Sequence, residues 1–213
     1  MINRFSEINW FQLFQSVTGS LTALAAIATA IAALIGLSTW RKQIIKKAEF
    51  DLARRFLITV YEIRLTIENV RRPFQTDEER SEATKSVEEE DLFIKEKITE
   101  RLIHKKVYYN RRRELQNAYS SLNGILLEAE GFWGKEINIK VQILSISIST
   151  LSIAITTHLM SYDHPEILDK EKTEENKRII SYNFDFREKD EFKGQVDFAV
   201  KEIEDFLRPK LKM

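Results

Sequence analysis

Between Ile8 and Trp40 the chain carries no charged side chain, and this stretch limits the possible folds more than any other feature of the sequence. Its centre reads LTALAAIATAIAALIGL, and a helix needs about 20 mostly apolar residues to cross the hydrocarbon core of a bilayer. Along such a helix Trp10 and Trp40 are about 45 Å apart, which places both aromatic rings at the headgroup interfaces that they favour. The sequence therefore predicts a transmembrane helix over 17–40, preceded by a short external segment, 1–16.

The charges beside this span predict its orientation. Arg41, Lys42 and Lys46 follow it directly, whereas the N-terminal side offers only Arg4. Because positive residues favour the cytoplasmic side, we expect a single-pass protein with its N-terminus outside and its body, 41–213, in the cytoplasm. A cleaved signal peptide is the alternative, but no polar cleavage region follows the Ala-x-Ala triplets.

Small and hydroxyl-bearing residues recur along the span at steps of three and four, which places them on one helix face. This small-residue stripe comprises Thr18, Thr22, Ala25, Thr29, Ala32 and Gly36. Bulkier residues such as Leu24, Ile27 and Ile31 fall on the opposite face. Such a stripe is typical of a seam where helices approach closely, and it also suits the lining of a pore. Both interpretations require several copies of the chain.

The body of the protein is predicted to be a bundle of helices, so the fold class is mainly α. With six Gly, three Pro and no Cys, the chain is poor in turn residues and cannot form disulfides or thiolate metal sites. Apolar residues at helical spacing predict a first helix that continues from the span to Arg72-Pro73, a second from about Glu90 to Trp133, a third across 141–162 and a last from Asp190 to Leu207. The predicted core stripes are Ala53, Phe56, Val60, Ile63, Ile67 and Val70 on the first helix, Leu115, Tyr119, Leu122, Leu126, Ala129 and Trp133 on the second, and Val141, Leu144, Ile148, Leu151, Ile155 and Leu159 on the third. We expect solvated connections at 77–91 and 163–177, and a short extended segment at 178–186.

The uncharged segment 141–162 is open to three interpretations. Val141, Leu144 and Ile148 begin a helical stripe, which favours a helix of the soluble bundle. Its length and lack of charge also permit a second membrane span, and the Ile-Ser alternation is typical of a strand.

The sequence contains no recognisable catalytic motif. It has no Gly-rich phosphate loop, and His104, His158 and His164 lack the spacing of metal ligands. We therefore predict that the protein is not an enzyme, binds no metal and needs no cofactor.

A basic cluster at 101–113 is the main candidate for binding a ligand, because it contains no acidic residue and includes two tyrosines. Cations that neutralise phosphates and rings that stack on bases suit single-stranded DNA or another polyanion. The alternative is that the cluster pairs with the acidic segment 77–91 of the same chain. Arginines of the first cytoplasmic helix add charge that also suits anionic lipids. The predicted ligand-binding residues are Arg54, Arg55, Arg71, Arg72, Lys105, Lys106, Tyr108, Tyr109, Arg111, Arg112 and Arg113.

Several short motifs give the chain a family resemblance. Trp40-Arg41-Lys42-Gln43 after the span, Val70-Arg71-Arg72-Pro73, and Trp133-Gly134-Lys135-Glu136 are similar to motifs of bacterial single-span membrane proteins with a helical cytoplasmic body. Among these proteins, the chain resembles the transmembrane effectors of the Hailong anti-phage systems. The resemblance implies a homotetrameric, anion-conducting channel of the bacterial inner membrane. It also implies that single-stranded DNA oligomers, made by a partner nucleotidyltransferase, hold the channel shut until phage infection removes them.

We therefore expect an oligomeric channel effector gated by a polyanion on its cytoplasmic helices. A membrane-tethered scaffold that recruits a soluble partner through its bundle, without a pore, is the alternative.

Overall fold

The computed structural model describes residues 10–90, 100–163, 170–181 and 190–212, and within these ranges all regular structure is helical. The predicted mainly α fold is confirmed. The elements are α1 (Trp10–Val70), α2 (Asp77–Glu90), α3 (Glu100–Trp133), α4 (Glu136–Asp163), α5 (Lys170–Ile180), α6 (Glu191–Leu207) and a short 3-10 helix (Arg208–Leu211).

The chain divides into two compact units, Met1–Ala48 and Glu49–Met213, and α1 contributes to both. In the first unit, every side chain whose burial is described is exposed. By length and composition, the N-terminal part of α1 and helix α4 are both candidate membrane spans. None of the most apolar window of α1 is buried, whereas 39% of the corresponding window of α4 is buried. The N-terminal helix is therefore the stronger candidate.

The second unit is built around a four-helix bundle with alternating helix directions. The segment of α1 from Glu49 onward belongs to this unit. Arg55 near its start pairs with Glu128 near the end of α3, so these two helices are antiparallel. Arg64 pairs with Asp197 of α6, and Lys140 at the start of α4 pairs with Glu202 near the end of α6. Helices α1, α3, α4 and α6 therefore run up, down, up and down, as in many bundles with short connections. Helix α2 is inserted between α1 and α3, and α5 between α4 and α6.

The apolar stripes predicted from the sequence form the core of this bundle. On α1 all six predicted positions are buried: Ala53, Phe56, Val60, Ile63, Ile67 and Val70. On α4 the six predicted positions are likewise buried: Val141, Leu144, Ile148, Leu151, Ile155 and Leu159. Segment 141–162 is therefore a helix with one face in the bundle core, and the strand interpretation is wrong.

One end of the bundle is held by aromatic side chains. Helix α3 ends at Trp133, and Gly134 adopts a left-handed backbone (φ 68°) that lets the chain turn directly into α4. The Trp133 indole contacts the edges of the Phe56 and Phe206 rings and donates from Nε1 to Glu49 Oε1 at 3.0 Å. This aromatic cluster joins α1, α3 and α6.

The prediction of a solvated connection at 77–91 is wrong for most of the segment, because 77–90 forms helix α2. The backbone N–H of Glu79 donates to Thr76 Oγ1 at 3.2 Å, and the N–H of Thr76 donates to Glu79 Oε2 at 2.8 Å. This reciprocal capping box starts the helix, and Ala83 and Val87 bury its inner face. The described part of the next helix begins at Glu100, and 91–99, where the predicted start near Glu90 would be decided, lie outside the described ranges.

The expected loop at 163–177 and the extended segment at 178–186 are also corrected. Residues 170–180 form α5, and the Ser181 N–H still donates to the Lys177 carbonyl at 2.8 Å. Residues 164–169 and 182–189 lie outside the described ranges. The β-branched pair Ile179-Ile180 is held in a helix because Ile180 enters the core and a buried arginine from α1 satisfies the last carbonyls, as described below. Tertiary contacts thus override the local preference for a strand.

Candidate functional site

The exposed part of the basic cluster forms one continuous face of α3. At 3.6 residues per turn, Lys105, Lys106, Arg112 and Arg113 all lie within about 60° of Tyr109 around the helix axis. The Tyr109 ring is 50% exposed, and Lys106 Nζ lies 5.6 Å from its centre. These five residues, called the basic face below, place an accessible aromatic ring among four cations, which can stack on a base while its neighbours contact phosphates.

Two members of the basic face retain their hydrogen-bonding capacity. Among the described residues, neither Arg112 nor Arg113 makes an ion pair, and Arg113 is exposed. Arg112 is half-buried, and its Nε has no hydrogen-bond partner in the part of the chain that the structure describes. Their guanidinium groups have therefore not been used to fasten the bundle.

Arg111, the residue next to this pair, has a different role because its side chain is 3% exposed. Its Nε and Nη2 donate to the two carboxylate oxygens of Glu79 at 2.8 and 3.0 Å. Its remaining N–H groups donate to the carbonyls of Val70, Arg72 and Phe74, so that it binds the last turn of α1 and the chain leading to α2. Burial of Glu79 opposes its ionisation, but the hydrogen bonds from Arg111 and Thr76 outweigh this and hold the pKa of its carboxyl below its usual value. Arg111 is a structural residue, and for it the predicted pairing with the acidic segment is confirmed.

Arg71 is buried in a similar arrangement at the end of α1. Its Nε donates to the Ile179 carbonyl at 2.7 Å, and Nη2 donates to the Ser181 carbonyl at 3.1 Å. Its Nη1 lies 3.0 Å from Asp190 Oδ2, and the guanidinium carbon lies 4.8 Å from the centre of the Phe192 ring. Because Asp190 also accepts from the Lys193 N–H to cap α6, Arg71 joins α1 to the end of α5 and the start of α6.

The remaining predicted ligand-binding residues differ in burial and position from the basic face. Arg54 and Arg55 are exposed on α1, and Arg55 pairs with Glu128 at 2.6 Å, about 24 Å along α3 from Arg112. Arg72 is exposed and donates to Asn69 Oδ1 at 2.7 Å. Tyr108 is buried beside Arg111 in the core, where burial raises the pKa of its hydroxyl. The eleven predicted residues thus do not form one surface.

Two half-buried histidines lie beside Tyr108, and the sequence predicted no role for them. The ring centres of His104 on α3 and His158 on α4 each lie 5.0 Å from that of Tyr108. The Gln75 side-chain amide is hydrogen-bonded to His104 Nδ1. Burial, followed by the charges of Arg111 and Arg80, lowers the pKa of His104, and burial followed by His104 and Lys177 lowers the pKa of His158. No group of three potential metal-binding side chains occurs among the described residues.

We expect this histidine pair to make folding stability depend on pH. An unfolded histidine takes up a proton near pH 6.5, whereas both folded imidazoles have a lowered pKa, so the unfolded state binds more protons as the pH falls. The melting temperature should therefore decrease from about pH 7 to pH 5. Replacing both with glutamine (His104→Gln/His158→Gln) should flatten this part of the profile in a thermal melt. An unchanged slope in the double variant would mean that other groups cause it.

The small-residue stripe of the first unit is exposed along its whole length. Its hydroxyl groups donate to the backbone of the same helix: Thr22 Oγ1 to the Thr18 carbonyl and Thr29 Oγ1 to the Ala25 carbonyl, both at 2.8 Å. Thr18 Oγ1 likewise donates to the Phe14 carbonyl at 2.9 Å. The stripe therefore presents methyl groups and acceptor oxygens, and it has no unsatisfied donor to bury.

An open groove of about 420 Å³ lies between α1 and α3 in the second unit. Ile58 and Ile125 supply its apolar surface, and Arg55 and Glu128 are at its edge. Gly124 leaves space on the α3 side, because nothing lies within 4 Å of where a Cβ would be.

The burial of Arg71 and Arg111 was not foreseen, although the sequence contained one signal for Arg111. Arg111 lies four residues before Leu115, which begins the predicted core stripe of α3, so the same periodicity that predicted the core also points Arg111 inward. Arg112 and Arg113 follow at steps of about 100° and turn away from the core.

Comparison of the chain with models of protein families, with curated proteins and with solved structures finds no match.

Proposed function

We propose that the chain is an oligomeric channel effector of bacterial anti-phage defence, anchored in the inner membrane with its N-terminus outside. One observation carries the proposal: the apolar helix of the first unit is exposed on all sides, and its small-residue stripe lies opposite a bulkier apolar face. A helix of this kind is unsuited to water, but lipid can cover one face and further copies of the helix the other. A single anchor would not need this division.

In the proposed assembly the stripe lines a conduit shared among the copies, and the family resemblance suggests four of them. The threonine hydroxyls donate to their own backbone, so the conduit offers acceptor oxygens and no side-chain charge. Selectivity for anions then has to come from Arg41, Lys42 and Lys46 at the cytoplasmic end.

The basic face is the proposed binding surface for the gating ligand, single-stranded DNA. Four cations around an exposed ring provide both phosphate neutralisation and base stacking. A bound strand controls conduction only if it binds the closed state more tightly than the open one. The resemblance suggests that a partner nucleotidyltransferase makes this strand. In this proposal the protein is not an enzyme.

The membrane-tethered scaffold is the second candidate, and the groove between α1 and α3 favours it. Ile58 and Ile125 are accessible there to an apolar side chain of a soluble partner, and Leu127 is 74% exposed nearby on α3. Two measurements on the purified full-length chain decide between the candidates: its oligomeric state in detergent and halide flux from liposomes that contain it. A monomer without flux would contradict the channel and leave the scaffold.

Binding to the basic face should be sensitive to salt and to charge reversal. We expect a fluorescent single-stranded DNA oligomer to bind the full-length protein with an affinity whose logarithm falls by about 3 per tenfold rise in salt, since four cations release about 0.7 counterions each. The variant Lys106→Glu/Arg113→Glu should weaken binding at least about tenfold for every base sequence. It should also remove the effect of DNA on flux. Anisotropy titrations over a range of salt concentrations measure both quantities.

A matched control has the same change in net charge at exposed positions elsewhere in the bundle. Lys135→Glu/Lys201→Glu alters the α3–α4 turn and α6, and its affinity should stay within about twofold of the wild type. Equal losses in both variants would show that only total charge matters, and the basic face would then not be the site.

A further inference from the structure

The outward face of α4 carries large apolar residues at every seventh position. Ile139, Ile146, Ile153 and Met160 are 67%, 50%, 65% and 58% exposed. The opposite face of the same helix already fills the bundle core, so core packing does not explain this second set. Helix α4 is thus apolar on two faces, and among the described residues of the second unit none buries the outward one.

A strict seven-residue spacing indicates the kind of surface that covers this face. An α-helix has 3.6 residues per turn, so a repeat of seven drifts by about 20° per repeat on a straight helix and stays in line where two helices supercoil around each other. Residues 139–160 cover three such repeats and about 32 Å of helix. A lipid surface or an irregular groove would impose no such period.

The chemistry between the apolar positions favours an identical partner. No charged side chain occurs within 141–162, so two copies of this face meet without repulsion. Gln142 and Ser149 are exposed between the apolar residues, and each can both donate and accept a hydrogen bond with its counterpart. Lys140 at the start of the helix is paired with Glu202 at 3.0 Å. The face therefore lacks the row of basic residues that holds an amphipathic helix on a membrane surface.

We infer that the face formed by Ile139, Ile146, Ile153 and Met160 packs against the same face of a second copy of the chain. A strip about 32 Å long and 10 Å wide covers about 320 Å² per copy, less than the roughly 800 Å² per partner of a stable interface. This contact alone is therefore too small to hold two copies together, and it adds to the oligomer that the proposed membrane helices form. To this extent the inference rests on the proposed function. The seam on α4 gives the oligomer a second contact outside the membrane.

Disulfide cross-linking tests the seam directly, because the natural chain contains no cysteine. A disulfide needs Cβ atoms about 4 Å apart, and positions 146 and 153 are about 10 Å apart on one helix, so they link only between copies. The full-length variant Ile146→Cys/Ile153→Cys, oxidised with copper phenanthroline in membranes of the expression host, should run mainly as a covalent dimer. The single variants give the orientation, since Ile146→Cys links to itself only when the helices are parallel.

The control uses two exposed positions with the same spacing on α6, Phe198→Cys/Asp205→Cys, which should stay monomeric. A third variant, Ala25→Cys, reports on association of the membrane helices. Cross-linking at Ala25 without cross-linking on α4 would overturn the seam and leave the proposed oligomer intact. Cross-linking on α4 without any at Ala25 would support the seam and contradict assembly through the stripe.

Adding Ile139→Lys to Ile146→Cys/Ile153→Cys separates a packed seam from chance collision. An unpaired charge in a packed seam should lower the cross-linked fraction of the double-cysteine variant about tenfold in either helix orientation. Phe198→Lys should not lower it. Equal yields with and without Ile139→Lys would mean that the face is open to solvent and that the inference is wrong.

Discussion

Replacing Thr29 with tryptophan is expected to abolish ion flux through liposomes that contain the protein, while the protein still assembles. Thr29 lies in the middle of the small-residue stripe, and its hydroxyl donates to the Ala25 carbonyl, so the stripe is uncharged at this level. An indole contributed by every copy would fill the proposed conduit, which is lined by threonine and alanine. Halide flux from loaded liposomes measures conduction, and detergent size-exclusion with light scattering measures assembly.

The control is the same substitution on the opposite face of the helix. Ile31→Trp replaces a bulky apolar side chain that we assign to lipid, and flux should remain close to that of the wild type. If Ile31→Trp blocks flux as completely as Thr29→Trp, the assignment of faces is wrong. If Thr29→Trp prevents assembly altogether, the stripe is a packing seam and the conduit must be elsewhere.

The largest loss of stability is expected from Arg111→Met, at about 3 kcal/mol of the free energy of unfolding. The substitution keeps an apolar side chain of similar length but removes all guanidinium donors to Glu79 and to the carbonyls of Val70, Arg72 and Phe74, and leaves Glu79 with the Thr76 N–H. Each buried acceptor left without a donor costs about 1 kcal/mol or more, and Glu79 loses its ion pair. Glu79 is 31% exposed, so water reaches it and keeps the loss near the lower end of the range for buried pairs.

The control is Arg113→Met, two positions along the same helix. Replacing this exposed arginine should change the free energy of unfolding by only about 0.5 kcal/mol. Chemical denaturation of the full-length protein in detergent, followed by circular dichroism, compares the variants. The double variant Arg111→Met/Glu79→Gln should lose less than the sum of its parts, because the two side chains share one interaction. Similar losses for Arg111→Met and Arg113→Met would contradict the structural role of Arg111.

The helices that could be predicted from sequence are those with a long apolar stripe. Phe56, Leu122 and Leu151 recur with their neighbours at steps of three and four, and burial of such a stripe decides both the helix and the face that it presents. Helix α2 has few apolar residues, and its first turn depends on the pairing of Thr76 with Glu79, a short signal within an acidic run. Helix α5 could not be predicted locally at all, because its last carbonyls are satisfied by an arginine more than a hundred positions earlier in the chain.

The sequence predicted which basic residues cluster in the candidate site, but not which of them lie on its surface. A run of three arginines has the same net charge whichever way its side chains point. The helix nevertheless turns about 100° between neighbouring residues, so the three side chains point in different directions. Arg111 therefore enters the interior, while Arg112 and Arg113 join the basic face. Arg54 and Arg71 show the same limit on α1, where one is exposed and the other is buried. Their distance along the chain from the predicted span did not distinguish them.

The two ends of the bundle are fastened by different kinds of contact, and this has a consequence for how the fold loosens. Rings around Trp133 hold the end at the α3–α4 turn, whereas directional bonds from Arg71 and Arg111 hold the end where α2 and α5 are inserted. Directional bonds are lost together once their geometry is disturbed, while packed rings tolerate small displacements. We therefore expect local opening to begin at the arginine end and to reach the aromatic end last, which amide hydrogen exchange along the helices would measure.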